Sequence, residues 1–297
     1  MLYAKLRAEA KQRLSRNRLF VSAYVQAKRL YDRRDVPTAK GQVNADRPAL
    51  TGIIDRNRSL LGAITTWIDK PALERSPVNY GVMDIHHSMI DQVPDPIMNL
   101  TDYLCYFASS IRDPSYLEIG VSVGRNLWQV LHTCHGARLT GLDMDILYPV
   151  VRSKLQQISV QVGPPQIECF RHDDTNNAVR VVSGDEFDEN VWNALKGTKF
   201  NLIFSDAMHT PEAILYEWSM LKKLDLIDPN GFTMVWDDLN NQGMRRAFET
   251  ICQDACARLN ITPNQCAVIH VPGWVGRYEP PHGVGVISSH DDFVTSR

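Results

Sequence analysis

From Ser115 onward, short apolar runs alternate with longer segments of helical spacing, and this alternation constrains the fold more than any other feature. Tyr116–Ile119, Ala137–Leu142, Gln166–Phe170, Phe200–Phe204 and Phe232–Trp236 read as buried strands. Pro149–Val160, Phe187–Leu195, Thr210–Leu224 and Gly243–Leu259 read as helices. Thr210-Pro211-Glu212 carries three start signals in a row: a capping hydroxyl, a proline for the first turn and an acid near the positive end. Strands and helices in alternation predict a parallel sheet covered on both faces. Ala267–Val271 and Val284–Ser288 have no helix between them, so they are expected to close one edge as an antiparallel hairpin.

The first strand runs into Glu118-Ile119-Gly120-Val121-Ser122-Val123-Gly124, followed by Asn126-Leu127-Trp128 at helical spacing. A strand, a glycine turn and a helix start make a nucleotide-type site, because free N–H groups face the ligand. The dinucleotide spacing Gly-x-Gly-x-x-Gly is absent, since position 122 is Ser. The pattern Glu-x-Gly-x-x-x-Gly instead resembles motif I of the class I S-adenosylmethionine-dependent methyltransferases. That resemblance, extended by the strand order over residues 96–297, implies an α/β fold: a seven-stranded Rossmann-like sheet with a closing hairpin. A smaller helical region, residues 1–95, precedes it as lid, subunit contact or substrate wall. Glu118, Gly120, Ser122 and Gly124 are then expected to hold S-adenosylmethionine.

Ligands of open parallel sheets lie beyond the carboxyl ends of the strands. The second strand ends at Asp143, whose carboxylate can accept both ribose hydroxyls or cap the next turn. The third ends at His172-Asp173-Asp174, and the resemblance places Asp173, or its neighbour Asp174, beside the adenine. The fourth ends at Asp206-Ala207-Met208-His209 and the fifth at Asp237-Asp238. Pairing of these strands gathers three carboxylates, which repel unless a cation sits among them; a hard divalent ion suits oxygen donors. Here the chain resembles the macrocin and mycinamicin-type sugar O-methyltransferases and the rhamnosyl O-methyltransferase/cephalosporin hydroxylase family. Both resemblances imply Mg2+ at Asp206, Asp237 and Asp238, and the first implies His209 as general base. Asp91-Gln92-Val93-Pro94-Asp95-Pro96 is similar to the second group. The chain departs from both where Asp237 replaces their frequent Glu, and from the rhamnosyl group at Arg125-Asn126.

The expected activity is therefore O-methylation of a hydroxylated small molecule by a homo-oligomer in the cytoplasm. Two alternatives stay open: a metal-independent N-methyltransferase or one acting on a carrier-bound substrate, and a cofactor-binding protein serving a hydroxylase or assembly complex. A net charge of −2 over 297 residues gives no reason to invoke nucleic acid. No run of eighteen apolar residues is present to suggest a spanning helix. Residues 1–34 form a basic amphipathic stretch, with Lys5, Arg7, Lys11, Arg13 and further cations facing only Glu9 and Asp32. Such a face is a solvated helix surface, a membrane-surface contact or a dock for an acidic protein. The six cysteines, including Cys252 and Cys256 one turn apart, read as reduced buried thiols. His86 and His87 precede the sheet and are weaker candidates for a substrate contact.

Overall fold

The computed structural model describes residues 41–65, 98–272, 281–290 and 293–296. The basic stretch 1–34, the pair His86-His87 and the segment 91–96 lie outside the described residues.

The expected alternation is present. Strand β1 (Gly41–Val43) and helix α1 (Arg47–Thr65) come first, then α2 (Leu100–Ser110) and β2 (Ser115–Ile119). Next are α3 (Arg125–Leu131), β3 (Arg138–Asp143), α4 (Pro149–Arg152), β4 (Gln156–Gln161), β5 (Gln166–His172) and β6 (Asn177–Ser183). The chain continues with α5 (Glu189–Asn193), β7 (Leu202–Ser205), α6 (Pro211–Lys223), β8 (Thr233–Trp236) and α7 (Gln242–Arg258). It closes with β9 (Cys266–Val271), β10 (His282–Ser288) and β11 (Val294–Ser296). The main sheet has nine strands in the order β4-β5-β6-β3-β2-β7-β8-β10-β9, and β1 pairs with β11 apart from it.

Strands β6, β3, β2, β7 and β8 are mutually parallel, and β10 and β9 close the edge antiparallel. These seven are the Rossmann-like methyltransferase sheet with its closing hairpin. The other two strands correct the sequence reading. Gln166–Phe170 was expected as the third parallel strand, but β5 runs antiparallel to β6 and carries β4 outside it. Pro149–Val160 was expected as one helix, yet only Pro149–Arg152 is helical. The reason is local. In Gln157-Ile158-Ser159-Val160-Gln161 β-branched residues alternate with polar ones at the strand period, and Gly163-Pro164-Pro165 supplies the turn.

Two apolar clusters sandwich the sheet. Tyr116, Leu127, Trp128, Leu139 and Val181 lie on one side with Phe107 of α2 and Ile53, Leu61 and Ile64 of α1. Leu117, Ile119, Leu142 and Ile203 lie on the other with Trp192, Trp218, Trp236 and Phe248. Helix α2 begins at Leu100. Asn99 is its cap, and Asp102 accepts back from the Asn99 N–H at 2.9 Å. Helix α1 is bound to α2 by a buried ion pair: Arg58 donates to both oxygens of Asp102, at 3.0 and 2.8 Å, and Asn57 adds a bond of 2.8 Å.

Candidate active site

The parallel register builds the site. Ser205 stands level with Ile119 on one side and Trp236 on the other, so the next residues, Gly120, Asp206 and Asp237, emerge side by side. Backbone bonds extend the ladder past the strands: Asp206 donates to Ile119 at 2.8 Å and Asp237 to Ser205 at 3.0 Å.

Gly120 has φ +86, and a Cβ there would lie 2.5 Å from the Asp206 carbonyl and 2.6 Å from the Ala207 backbone. Its missing side chain thus first allows two loops of the protein to cross, a requirement additional to any approach of a ligand. Gly124, at φ 75, is the left-handed cap residue that opens α3. Between them the exposed Ser122 donates its N–H to Asp143 Oδ2 at 2.6 Å. Asp143 Oδ1 accepts from the Asp145 N–H at 3.0 Å. Asp143 therefore ties the glycine loop to its own turn, and each of its oxygens keeps a second lone pair.

A cleft of about 580 Å³ opens beside these residues, lined by Gly120, Ser122, Asp143, Asp185, Glu186 and Asp206, among others. Its size suits a nucleoside-scale ligand. Glu186 is only 7% exposed, and neither of its carboxylate oxygens has a hydrogen-bond partner. Burial, then the Asp185 charge, pushes its carboxyl up. A buried carboxyl without a donor at the wall of a cleft fits a ligand that brings N–H or O–H groups.

Asp173 is not part of this cleft. It lies exposed in the turn joining β5 to β6, at the opposite end of the sheet, because the strand before it is antiparallel. The strand that does end at the cleft is β6, and the residues beyond it are Gly184, Asp185 and Glu186. The signal that could have found them was the run Asp173-Asp174-Thr175-Asn176-Asn177, a turn rather than a strand end. Glu118 is fully buried beneath the glycine turn and is not among the residues lining the cleft. Its Oε2 accepts from the Tyr116 hydroxyl at 3.1 Å, while Oε1 has no partner. Burial raises its carboxyl to about 8, against the opposing hydrogen bonds from Tyr116 and Asn126.

The other sequence candidates converge at one point. His209 places Nε2 3.7 Å from Asp206 Oδ1 and Nδ1 3.6 Å from Asp238 Oδ2, just before the Thr210 cap and Pro211 that open α6. Both separations exceed a hydrogen bond, and the His209 side chain is 42% exposed. Asp237 Oδ1 accepts from the Asp238 N–H at 2.8 Å. Burial, then the charges of Asp237 and Asp238, holds the Asp206 carboxyl well above the usual carboxylate range. Burial raises Asp237 as well, opposed by the neighbouring His282.

His282 is the residue that sequence reasoning missed. Its Nδ1 lies 3.2 Å from Asp238 Oδ1 and 3.8 Å from Asp237 Oδ1. It opens a strand, whereas the sequence candidates around it all follow the carboxyl end of one. Because β10 is antiparallel to β8, its first residue arrives where the parallel strands finish. Asp237, Asp238 and His282 form the single group of three metal-ligating side chains among the described residues, with donor atoms within 4.8 Å of one another.

No protein-family model matches the sequence, and no curated protein matches it. Solved structures do align with it. One is the O-methyltransferase TomG from Streptomyces achromogenes, involved in tomaymycin synthesis and solved in complex with SAM. It is 14% identical over 86% of this chain and 91% of that one, with a TM-score of 0.41. Another is an SAH-bound methyltransferase of Podospora anserina, 13% identical over 66% and 77% of the two chains, TM-score 0.38. A third is Aeropyrum pernix fibrillarin with natively bound S-adenosyl-L-methionine, 12% identical over 59% and 66%, TM-score 0.38. The architecture of this chain is the Rossmann-like fold of the class I methyltransferases, enlarged by the β4–β5 hairpin. No helix among the described residues is long and apolar enough to cross a membrane.

Proposed function

We propose that the protein is an S-adenosylmethionine-dependent O-methyltransferase that acts on a hydroxyl group of a small molecule, with a divalent cation, Mg2+ in the simplest case, at the acid cluster. The observation that carries this reading is His209 standing between Asp206 and Asp238 at the rim of the cofactor-sized cleft.

When bound, S-adenosylmethionine supplies a methyl group on a sulfonium, open to in-line attack. The chain's own residues have three tasks. The glycine loop, Asp143 and the Asp185-Glu186 pair offer N–H groups and carboxylates to the cofactor's donors and acceptors. His209 takes the proton of the acceptor hydroxyl on one ring nitrogen as that oxygen attacks, while the other nitrogen faces a carboxylate that orients the ring. Asp206, Asp237 and Asp238 present oxygens that suit a hard cation, which when bound lowers the acceptor's pKa.

The test is methyl transfer to a panel of hydroxylated acceptors, with cofactor affinity measured in parallel. His209→Ala is expected to cut turnover by roughly 10²–10⁴ with little change in cofactor affinity. Full turnover in that variant, on an acceptor methylated at oxygen, removes His209 from the mechanism. Methylation at nitrogen that survives chelation favours the metal-independent alternative instead.

A further inference from the structure

We infer that His282 is a metal ligand together with Asp237 and Asp238, and that this mixed site takes a first-row transition dication of the manganese or cobalt class in preference to magnesium. The inference rests on reading the acid cluster as a metal site and changes what that site would select.

The geometry is that of a ligand set. Metal–donor bonds of about 2.0–2.2 Å leave neighbouring donors about 3.0–3.4 Å apart in octahedral or tetrahedral coordination. His282 Nδ1 lies 3.2 Å from Asp238 Oδ1 and 3.8 Å from Asp237 Oδ1, so small side-chain shifts reach those spacings. The three side chains sit where two paired strands end and begin. Asp237 and Asp238 follow β8, and β10 is locked to that end by the Leu239 N–H bonding to Gly283 at 2.7 Å. Asn240 adds a second tie, its Oδ1 accepting from the Gly283 N–H at 2.7 Å. The donors are also reachable, with the side chains of His282 and Asp238 34% and 33% exposed and Asp237 13% exposed.

What separates this set from a patch of acids is the imidazole. Three carboxylates alone would suit Mg2+, which keeps oxygen ligands and several waters. A nitrogen donor contributes little to Mg2+ and much to the later divalent ions, whose affinity for nitrogen sites rises along the first transition row. The competing account is that His282 only neutralises the two acids as an ion pair.

The experiment uses the full chain, stripped with chelator and dialysed. Mn2+ is titrated in, Mg2+ is added as competitor, and bound Mn2+ is examined by pulsed electron paramagnetic resonance for the nitrogen coupling of an imidazole ligand. The expected result is Mn2+ binding that Mg2+ displaces only in large excess, with nitrogen coupling in the wild type. In His282→Ala and His282→Asn the coupling disappears and the Mn2+ over Mg2+ preference falls by about tenfold or more. Circular dichroism identifies a variant that fails to fold, and the wild-type coupling then decides alone. Mn2+ bound without nitrogen coupling overturns the role of His282 but leaves the acid site standing. No binding of Mn2+, Co2+ or Mg2+ overturns both, and leaves His282 as the ion-pair partner of the acids.

Discussion

Two carboxylate centres in this molecule are built to opposite rules. Asp102 is fully buried, and its oxygens accept four hydrogen bonds: from Asn57, twice from Arg58, and from the Asn99 backbone. Each oxygen is matched, and a permanent cation balances the charge. Asp206, just past the carboxyl end of β7, has its nearest imidazole nitrogen 3.7 Å away and two further carboxylates close by. The first centre ties α1 to α2. The second keeps like charges together without a matching set of donors, a conflict that folded proteins tolerate mainly where a ligand or a reaction uses it.

The largest expected effect comes from breaking the satisfied centre. Asp102→Ala removes the carboxylate that accepts two bonds from Arg58, which is only 7% exposed, and one each from Asn57 and the Asn99 N–H. Chemical denaturation is expected to show a loss of about 3–5 kcal/mol. A loss below about 1 kcal/mol would mean that α1 contributes little to the fold and that the contrast between the centres is wrong.

A second fully buried acid sharpens the comparison through pH. Glu217 on α6 is fully buried, accepts from Trp236 Nε1 at 3.3 Å through Oε2, and leaves Oε1 without a partner. Burial raises its carboxyl to about 8, with bonds from Ser205 and Trp236 opposing. The unfolded group titrates near 4.3. Between those values the native state holds the proton more tightly. The stability it adds is therefore complete below about 4.3 and is lost as pH rises through about 8. One such proton contributes a slope of at most about 1.4 kcal/mol per pH unit. Glu217→Gln is expected to flatten the stability profile between those limits. An unchanged profile places the proton on another group, of which the equally buried Glu118 is the first candidate.

The legibility of each region follows from the same physics. The parallel strands were readable because their apolar runs are continuous and their helices carry strong caps, as Thr210-Pro211 shows. Acids at the ends of those strands were therefore placed correctly beside one another, since parallel register transmits position from strand to strand. The β4–β5 hairpin was misread because Val150 and Val151 of α4 run into Ile158 and Val160 with no proline or glycine to mark the change of period. That one misreading moved Asp173 to the wrong end of the sheet and hid Asp185 and Glu186. His282 was hidden for a different reason. Its neighbours are set by an antiparallel pairing 44 residues away from Asp238, and nothing in the local sequence records it.

The most direct test of the contrast is the unfolding free energy of Asp206→Asn against wild type, both free of added divalent metal at neutral pH. An acid that the fold needs should cost stability when replaced, as Asp102 is expected to. An acid held against its neighbours for function should not. The prediction is an unfolding free energy equal to or above that of the wild type, because the amide removes the repulsion from Asp237 and Asp238. A loss of more than about 1 kcal/mol, the size of an ordinary buried hydrogen bond, would contradict it and make Asp206 a structural residue like Asp102.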